Sequence, residues 1–134
     1  MKVFIVEDSE NIRGYLQSML SGIPGVMVTG YAANELEAIK LIDELLPDVV
    51  TLDIHLQSGS GITVLDYIKK HHDAIKVIVL TNYTDEFYAN KCIHAGADYV
   101  FDKTSQFSLV RPVLWSWIHA DYAGDKAATL QRAI

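Results

Sequence analysis

Short apolar runs alternate with segments whose apolar residues recur at helical spacing along most of the chain. KVFIV (residues 2–6) predicts a strand, and it is followed by Ile12, Tyr15, Leu16, Met19 and Leu20. That i, i+3, i+4, i+7, i+8 stripe is one face of an amphipathic helix, which Gly22 and Pro24 stop. GVMVTGY (25–31) predicts a second strand. Asn34, with Glu37 three residues on, forms a capping pair for a helix running to about Leu46, before Pro47. DVVTLD (48–53) predicts a third strand, followed by a glycine–serine loop and a helix carrying Ile62, Leu65 and Ile68. IKVIVLT (75–81) predicts a fourth strand, with Thr84 set to cap a helix over residues 85–95, and DYVFD (98–102) a fifth. Pro112 cannot sit deep in a helix. The spacing therefore places a turn at 105–109 and starts the last helix near Arg111, with Pro112 in the first helical position. This helix is expected to end near Tyr122, before Gly124, leaving 125–134 as a weakly helical tail.

Five βα units in succession predict an α/β fold, a parallel sheet with helices on both faces and right-handed crossovers. Strands covered on both faces read as continuous apolar runs, as DVVTL and IKVIVL do. Ligands in such sheets bind at the carboxyl ends of the strands, where the strand order reverses.

Composition narrows the function. The 134 residues, half of them apolar, make one ordinary domain with a full core. The net charge of −6, without a basic block, argues against direct nucleic-acid binding. The N-terminal MKVFIVEDSE reaches acidic residues too soon for a signal peptide or a membrane span. A soluble cytoplasmic chain, not inserted in a membrane, is expected. The single cysteine, Cys92, rules out an internal disulfide and reads as a small buried apolar residue. His55, His71, His72 and His94 have no metal-ligand spacing with it. No G-x-G-x-x-G motif marks a dinucleotide site.

The strand ends carry the chemistry. Glu7 and Asp8 follow the first strand, Asp53 the third, Thr81 and Asn82 the fourth, and Asp102 and Lys103 the fifth. Asp53 closes an apolar run, where an uncompensated carboxylate is costly. Each residue alone has an ordinary explanation: a solvated loop, a turn former or a surface lysine. Together they form a set. Clustered carboxylates repel unless a cation is present, and hard oxygen ligands with room for water suit Mg²⁺. An added ammonium and a hydroxyl suit a phosphoryl group, which a nucleophilic carboxylate can receive.

The chain strongly resembles the receiver domain of two-component response regulators. The resemblance rests on VFIVEDSE, DVVTLDIHLQSGSG, VIVLT and GADYVFDK and covers residues 1–122, leaving 123–134 as a C-terminal tail. It implies a flavodoxin-like (βα)5 fold with strand order 2-1-3-4-5. It also implies Mg²⁺-dependent transfer of a phosphoryl group from a phosphohistidine, on a sensor histidine kinase or a histidine phosphotransfer protein, to Asp53. By the same resemblance Glu7, Asp8, Asp53 and the backbone carbonyl of His55 hold the metal, Thr81 is the switch hydroxyl and Lys103 contacts the phosphoryl group. His55 and Tyr83 match positions that flank the path of the hydrolytic water. Output to a downstream protein, or a homodimer, would run through the fourth helix, fifth strand and fifth helix. On this reading the chain is not an enzyme beyond its own phosphorylation and dephosphorylation, and it is a stand-alone receiver or one excised from a longer regulator.

Some positions depart from the family pattern. Gln57 replaces a usual proline, although Gly61 is in place. Asn82 replaces a usual Ala or Gly, and Thr104 the proline common after the lysine, so a cis peptide is not expected there. Val100 stands where the family carries a rotating Tyr or Phe, and strand alternation points its neighbours Tyr99 and Phe101 to the other face. These departures leave the phosphorylation chemistry intact and bear on the readout. Two readings compete. A degenerate receiver acting only as an interaction module would lack Asp53, the acidic pair or Lys103. An aspartyl-phosphate phosphohydrolase would typically carry its nucleophile after the first strand, with a second Asp two residues on, where this chain has His55 after Asp53.

Overall fold

The structure is a computed structural model and describes residues 1–82 and 86–120. In chain order it contains β1 (Lys2–Val6), α1 (Glu10–Ser21), β2 (Met27–Ala32), α2 (Glu35–Leu45), β3 (Val49–Leu52), α3 (Gly61–His71), β4 (Lys76–Thr81), α4 (Glu86–His94), β5 (Tyr99–Asp102) and α5 (Val110–Ile118). A 3₁₀ turn at Phe107–Leu109 runs directly into α5. All strand pairs are parallel, in the order β2-β1-β3-β4-β5. The expected doubly wound α/β fold is the one observed.

Alternation along each strand builds two cores. Phe4, Val6, Val50, Leu52, Val77 and Val79 face one way, and meet Ala38 and Ile42 of α2, Val64, Leu65 and Ile68 of α3, and Cys92 of α4. Val3, Ile5, Val49, Ile78, Leu80, Tyr99 and Phe101 face the other way, against Leu16 and Leu20 of α1 and Val110, Val113, Leu114 and Trp117 of α5. Val100 packs with the first core, opposite its aromatic neighbours, as strand alternation requires. Cys92 is fully buried, and burial pushes its thiol pKa up.

Helix starts follow the capping residues. Ser9, Asn34 and Ser60 accept the backbone N–H of Ile12, Glu37 and Ile62 through their side chains. The expected cap at Thr84 lies outside the described residues, as do Tyr83, the expected helix end near Tyr122, and the tail.

Three local expectations are corrected. The second strand starts at Met27 rather than residue 25, because Gly25 turns with φ 90° and sheet pairing begins at Lys2 with Met27. Tyr15 is 74% exposed rather than part of the buried stripe. It lies about 85° around the helix from the mean direction of Ile12, Leu16, Met19 and Leu20. The last helix starts at Val110, so Pro112 is its third residue rather than its first. That position is still in the first turn, where backbone N–H groups have no acceptor within the helix. Trp115 is 53% exposed, on the side of α5 away from the core, and stacks on His119 with centroids 4.2 Å apart.

Gly14 lies inside α1, and a Cβ at that position would have no neighbouring atom within 4 Å. Gly14→Ala should therefore stabilise the chain by about 0.5–1 kcal/mol, through the lower backbone entropy of the unfolded state. Urea unfolding should show a higher midpoint with an unchanged slope.

Candidate functional site

The sheet ladder runs one residue past the strands and aims the functional side chains. The Glu7 N–H donates to Ala32 O at 3.0 Å, Asp53 N–H to Val6 O at 2.9 Å and Lys103 N–H to Thr81 O at 2.9 Å. Glu7, Asp53 and Lys103 thereby leave the carboxyl edge of the sheet together, near the point where the strand order reverses between β1 and β3. Lys103 Nζ lies 2.5 Å from Glu7 Oε1 and 3.1 Å from Asp53 Oδ2. Glu7 is 1% and Asp53 6% exposed, so the ammonium supplies the compensation that the buried carboxylates require.

Backbone donors hold the remaining oxygens. Ser9 N–H donates to Glu7 Oε2 at 3.1 Å, His55 N–H to Asp53 Oδ1 at 3.1 Å and Gln57 N–H to Asp8 Oδ2 at 2.8 Å. A proline at position 57 could not make the last bond. Carboxylate oxygens of Glu7, Asp8 and Asp53 lie within 4.8 Å of one another, the only cluster among the described residues suited to a metal ion. Three hard oxygen donors fit Mg²⁺ in their chemistry.

Burial pushes the Glu7 carboxyl above its ordinary range, although the hydrogen bonds from Lys103 and Ser9 pull the other way. Burial pulls the Lys103 ammonium down, but the Glu7 hydrogen bond and the Asp53 and Glu7 charges outweigh it, and the net direction is upward. Lys103 therefore stays charged between the two acids.

Of the residues singled out in the sequence, Glu7, Asp8, Asp53 and Lys103 come together. Thr81 is buried at the end of β4, in register with Asp102 and bonded to the Lys103 amide through its carbonyl. Asn82 is exposed beside it. The backbone of His55 bridges Ser60, and its ring meets Tyr88 of α4 edge-on, with centroids 5.4 Å apart.

Gly61 has a steric role. A Cβ there would meet Asp53 O at 2.1 Å and Ile54 Cα at 2.5 Å. Arg13 is a residue that the sequence does not single out. Its guanidinium donates to Glu7 O at 3.0 Å and Asp8 O at 3.3 Å, and lies 4.4 Å from the Tyr31 ring centroid. A lone arginine on the polar side of a helix gives no periodic signal, since its acceptors are backbone atoms.

Asp102 shapes the loop beyond Lys103. Its carboxylate accepts the Ser105 and Thr104 N–H groups at 2.8 and 2.7 Å, which hold its pKa below the ordinary value. A depressed carboxylate contributes stability above its unfolded pKa, and that contribution is lost as pH falls through the folded value. Acid unfolding of Asp102→Asn should accordingly show a smaller loss of stability below pH 3.8 than wild type. Urea midpoints compared at pH 6 and pH 3, conditions chosen on either side of the usual Asp range of about 3.9, would measure it.

The family model described as "Response regulator receiver domain" matches residues 3–113. The chain is 38% identical over 99 residues to a protein-glutamate methylesterase/protein-glutamine glutaminase of Geobacter metallireducens, covering 72% of this chain and 28% of that protein. It is 33% identical over 106 residues to the response regulator protein VraR of Staphylococcus aureus, covering 78% of this chain and 51% of that one. The chain thus spans about half or less of the length of these curated relatives. Among solved structures, the response regulator domain of Thermotoga maritima CheB superimposes with a TM-score of 0.77 at 30% identity, covering 89% of this chain and 93% of that one.

This chain belongs to the response regulator receiver family of two-component systems. Receiver domains accept a phosphoryl group on an aspartate, bind Mg²⁺ through acidic residues, and interact with histidine kinases and downstream partners. No helix among the described residues is long and apolar enough to cross a membrane.

Proposed function

We propose that Asp53 is the phosphoacceptor of a Mg²⁺-dependent receiver unit spanning residues 1–122, with 123–134 as a tail. The observation that carries this reading is the buried Asp53 carboxylate, held by Lys103 at 3.1 Å beside Glu7 and Asp8. The Asp53 carboxylate attacks phosphorus of a phosphohistidine, on a sensor histidine kinase or a phosphotransfer protein. The new O–P bond forms as the N–P bond breaks, and the imidazole leaves. Lys103 stays protonated and neutralises charge on the phosphoryl oxygens. Glu7, Asp8, Asp53 and the His55 carbonyl would hold Mg²⁺, which would supply further charge neutralisation for the transfer.

Asp8 would ligate the metal more directly than Glu7. Both Glu7 oxygens already take hydrogen bonds, from Lys103 and Ser9, whereas Asp8 uses one oxygen for Gln57. Thr81 reports the phosphorylated state to α4, β5 and α5, where a downstream protein or a second copy docks. Phe87 and Trp115, both exposed on those helices, support that surface. A cytoplasmic setting, and self-phosphorylation and dephosphorylation as the only catalysis, go with this reading. The intact acidic pair, Asp53 and Lys103 favour it over a degenerate interaction module.

Incubation with Mg²⁺ and phosphoramidate, followed by intact-mass measurement, tests it. One phosphate should add to wild type and none to Asp53→Asn or to wild type in chelator. Labelling that persists in Asp53→Asn would overturn the assignment.

A further inference from the structure

We propose that Arg13 is a positioning residue for the metal-binding carboxylates, and that the ring of Tyr31 holds it in place. The inference rests on reading Glu7 and Asp8 as Mg²⁺ ligands. The connection from β1 to α1 is only Glu7, Asp8 and Ser9. Arg13 takes the carbonyl of each of them: Glu7 O at 3.0 Å and Asp8 O at 3.3 Å through Nη1, and Ser9 O at 2.9 Å through its backbone N–H. The Ser9 bond is the ordinary first-turn bond of α1 that any residue makes, so the arginine side chain itself fixes two carbonyls, those of the two acids. Its guanidinium is itself fixed, with Cζ 4.4 Å from the centroid of the Tyr31 ring on β2. Tyr31 pairs in register with Ile5, so the clamp is anchored to the sheet rather than to the loop it holds.

Two opposed effects meet at Arg13. Its positive charge repels a nearby divalent cation, and that term alone predicts tighter Mg²⁺ binding when the charge is removed. Its hydrogen bonds hold the ligand backbone ready, and that term predicts weaker binding when they are lost. The second dominates, because the charge sits in contact with a ring on one side and carbonyl dipoles on the other, while the segment it holds is only three residues long. A lysine keeps the charge but lacks the planar guanidinium that lies flat on the ring while it donates to the carbonyls, so it separates the two effects.

Calorimetric Mg²⁺ titration of the full chain tests the proposal without reference to phosphorylation. Arg13→Gln should weaken Mg²⁺ binding about tenfold, at the low end of what outer partners of a metal site contribute. Arg13→Lys should also weaken it. Tyr31→Ala should weaken it about threefold, as expected for loss of an exposed cation–π contact, and Tyr31→Phe should restore it. A merely structural role would lower the unfolding midpoint of these variants and leave Mg²⁺ affinity alone. If Arg13→Gln does not fold, the Tyr31→Ala and Tyr31→Phe pair decides. Mg²⁺ binding by wild type, with unchanged or tighter binding by Arg13→Gln or by Tyr31→Ala, overturns the positioning role. A wild-type chain that binds no Mg²⁺ overturns the reading of the site, and this inference with it.

Discussion

Lys103→Met should cost the metal-free chain about 3 kcal/mol of stability and slow phosphorylation about 100-fold. Lys103 is the cation within ion-pair distance of both Glu7 and Asp53, two nearly buried carboxylates. Removing one member of a buried charge group leaves the others unpaired, which costs more than the group ever contributed. The loss stays near the low end of that range because Glu7, already pushed upward by burial, takes up a proton instead of remaining charged. The pH dependence has a definite sign. Lys103 is raised in the folded state, so its contribution is complete below 10.5 and fades as pH rises through the folded value. The variant should lack that alkaline loss. Added Mg²⁺ should recover much of the variant's stability, since a divalent cation also screens the acids, while the slow phosphorylation remains. Urea unfolding with and without Mg²⁺, beside a phosphoramidate time course, measures both effects.

Gly61→Ala is the second large expected effect, at about 3 kcal/mol. The three atoms nearest the added methyl are all backbone, Asp53 O at 2.1 Å, Ile54 Cα at 2.5 Å and Asp53 C at 2.8 Å, and backbone cannot swing aside as a side chain can. Relief requires moving either the start of α3 or the segment that carries Asp53. Thermal unfolding should fall by roughly 10 °C, and Mg²⁺ affinity should fall with it. Gly14→Ala shifts stability the opposite way, so the pair separates close packing from glycine's entropy.

The site is legible in the sequence because a parallel sheet gathers its strand ends on one edge. With the apolar runs placed as strands, Glu7, Asp8, Asp53 and Lys103 fall on one edge where they could converge, and the structure brings their side chains together across it. Strand alternation likewise sends Val100 to one core and Tyr99 and Phe101 to the other. Interactions whose partner is backbone escape a reading of residue types. Arg13 on the Glu7 and Asp8 carbonyls, and the Gln57 amide on Asp8, leave no such pattern. Gly61 matches its family position in the sequence, but the reason for it is a contact with a carbonyl that no spacing rule describes. Tyr15 and Pro112 mislead for a different cause. Period alone does not fix the width of a helix's buried stripe, and it does not distinguish the first from the third position of a first turn.

That Asp53 carries the phosphoryl group as an acyl phosphate is tested most directly by borohydride reduction of the phosphorylated chain, followed by peptide mass mapping. Hydride converts an aspartyl phosphate to homoserine with loss of phosphate, and leaves free carboxylates untouched. Homoserine is expected at position 53 alone, dependent on both phosphodonor and Mg²⁺. Homoserine at Glu7's neighbour Asp8, at Asp102 or at any other aspartate, with position 53 unchanged, would contradict the assignment.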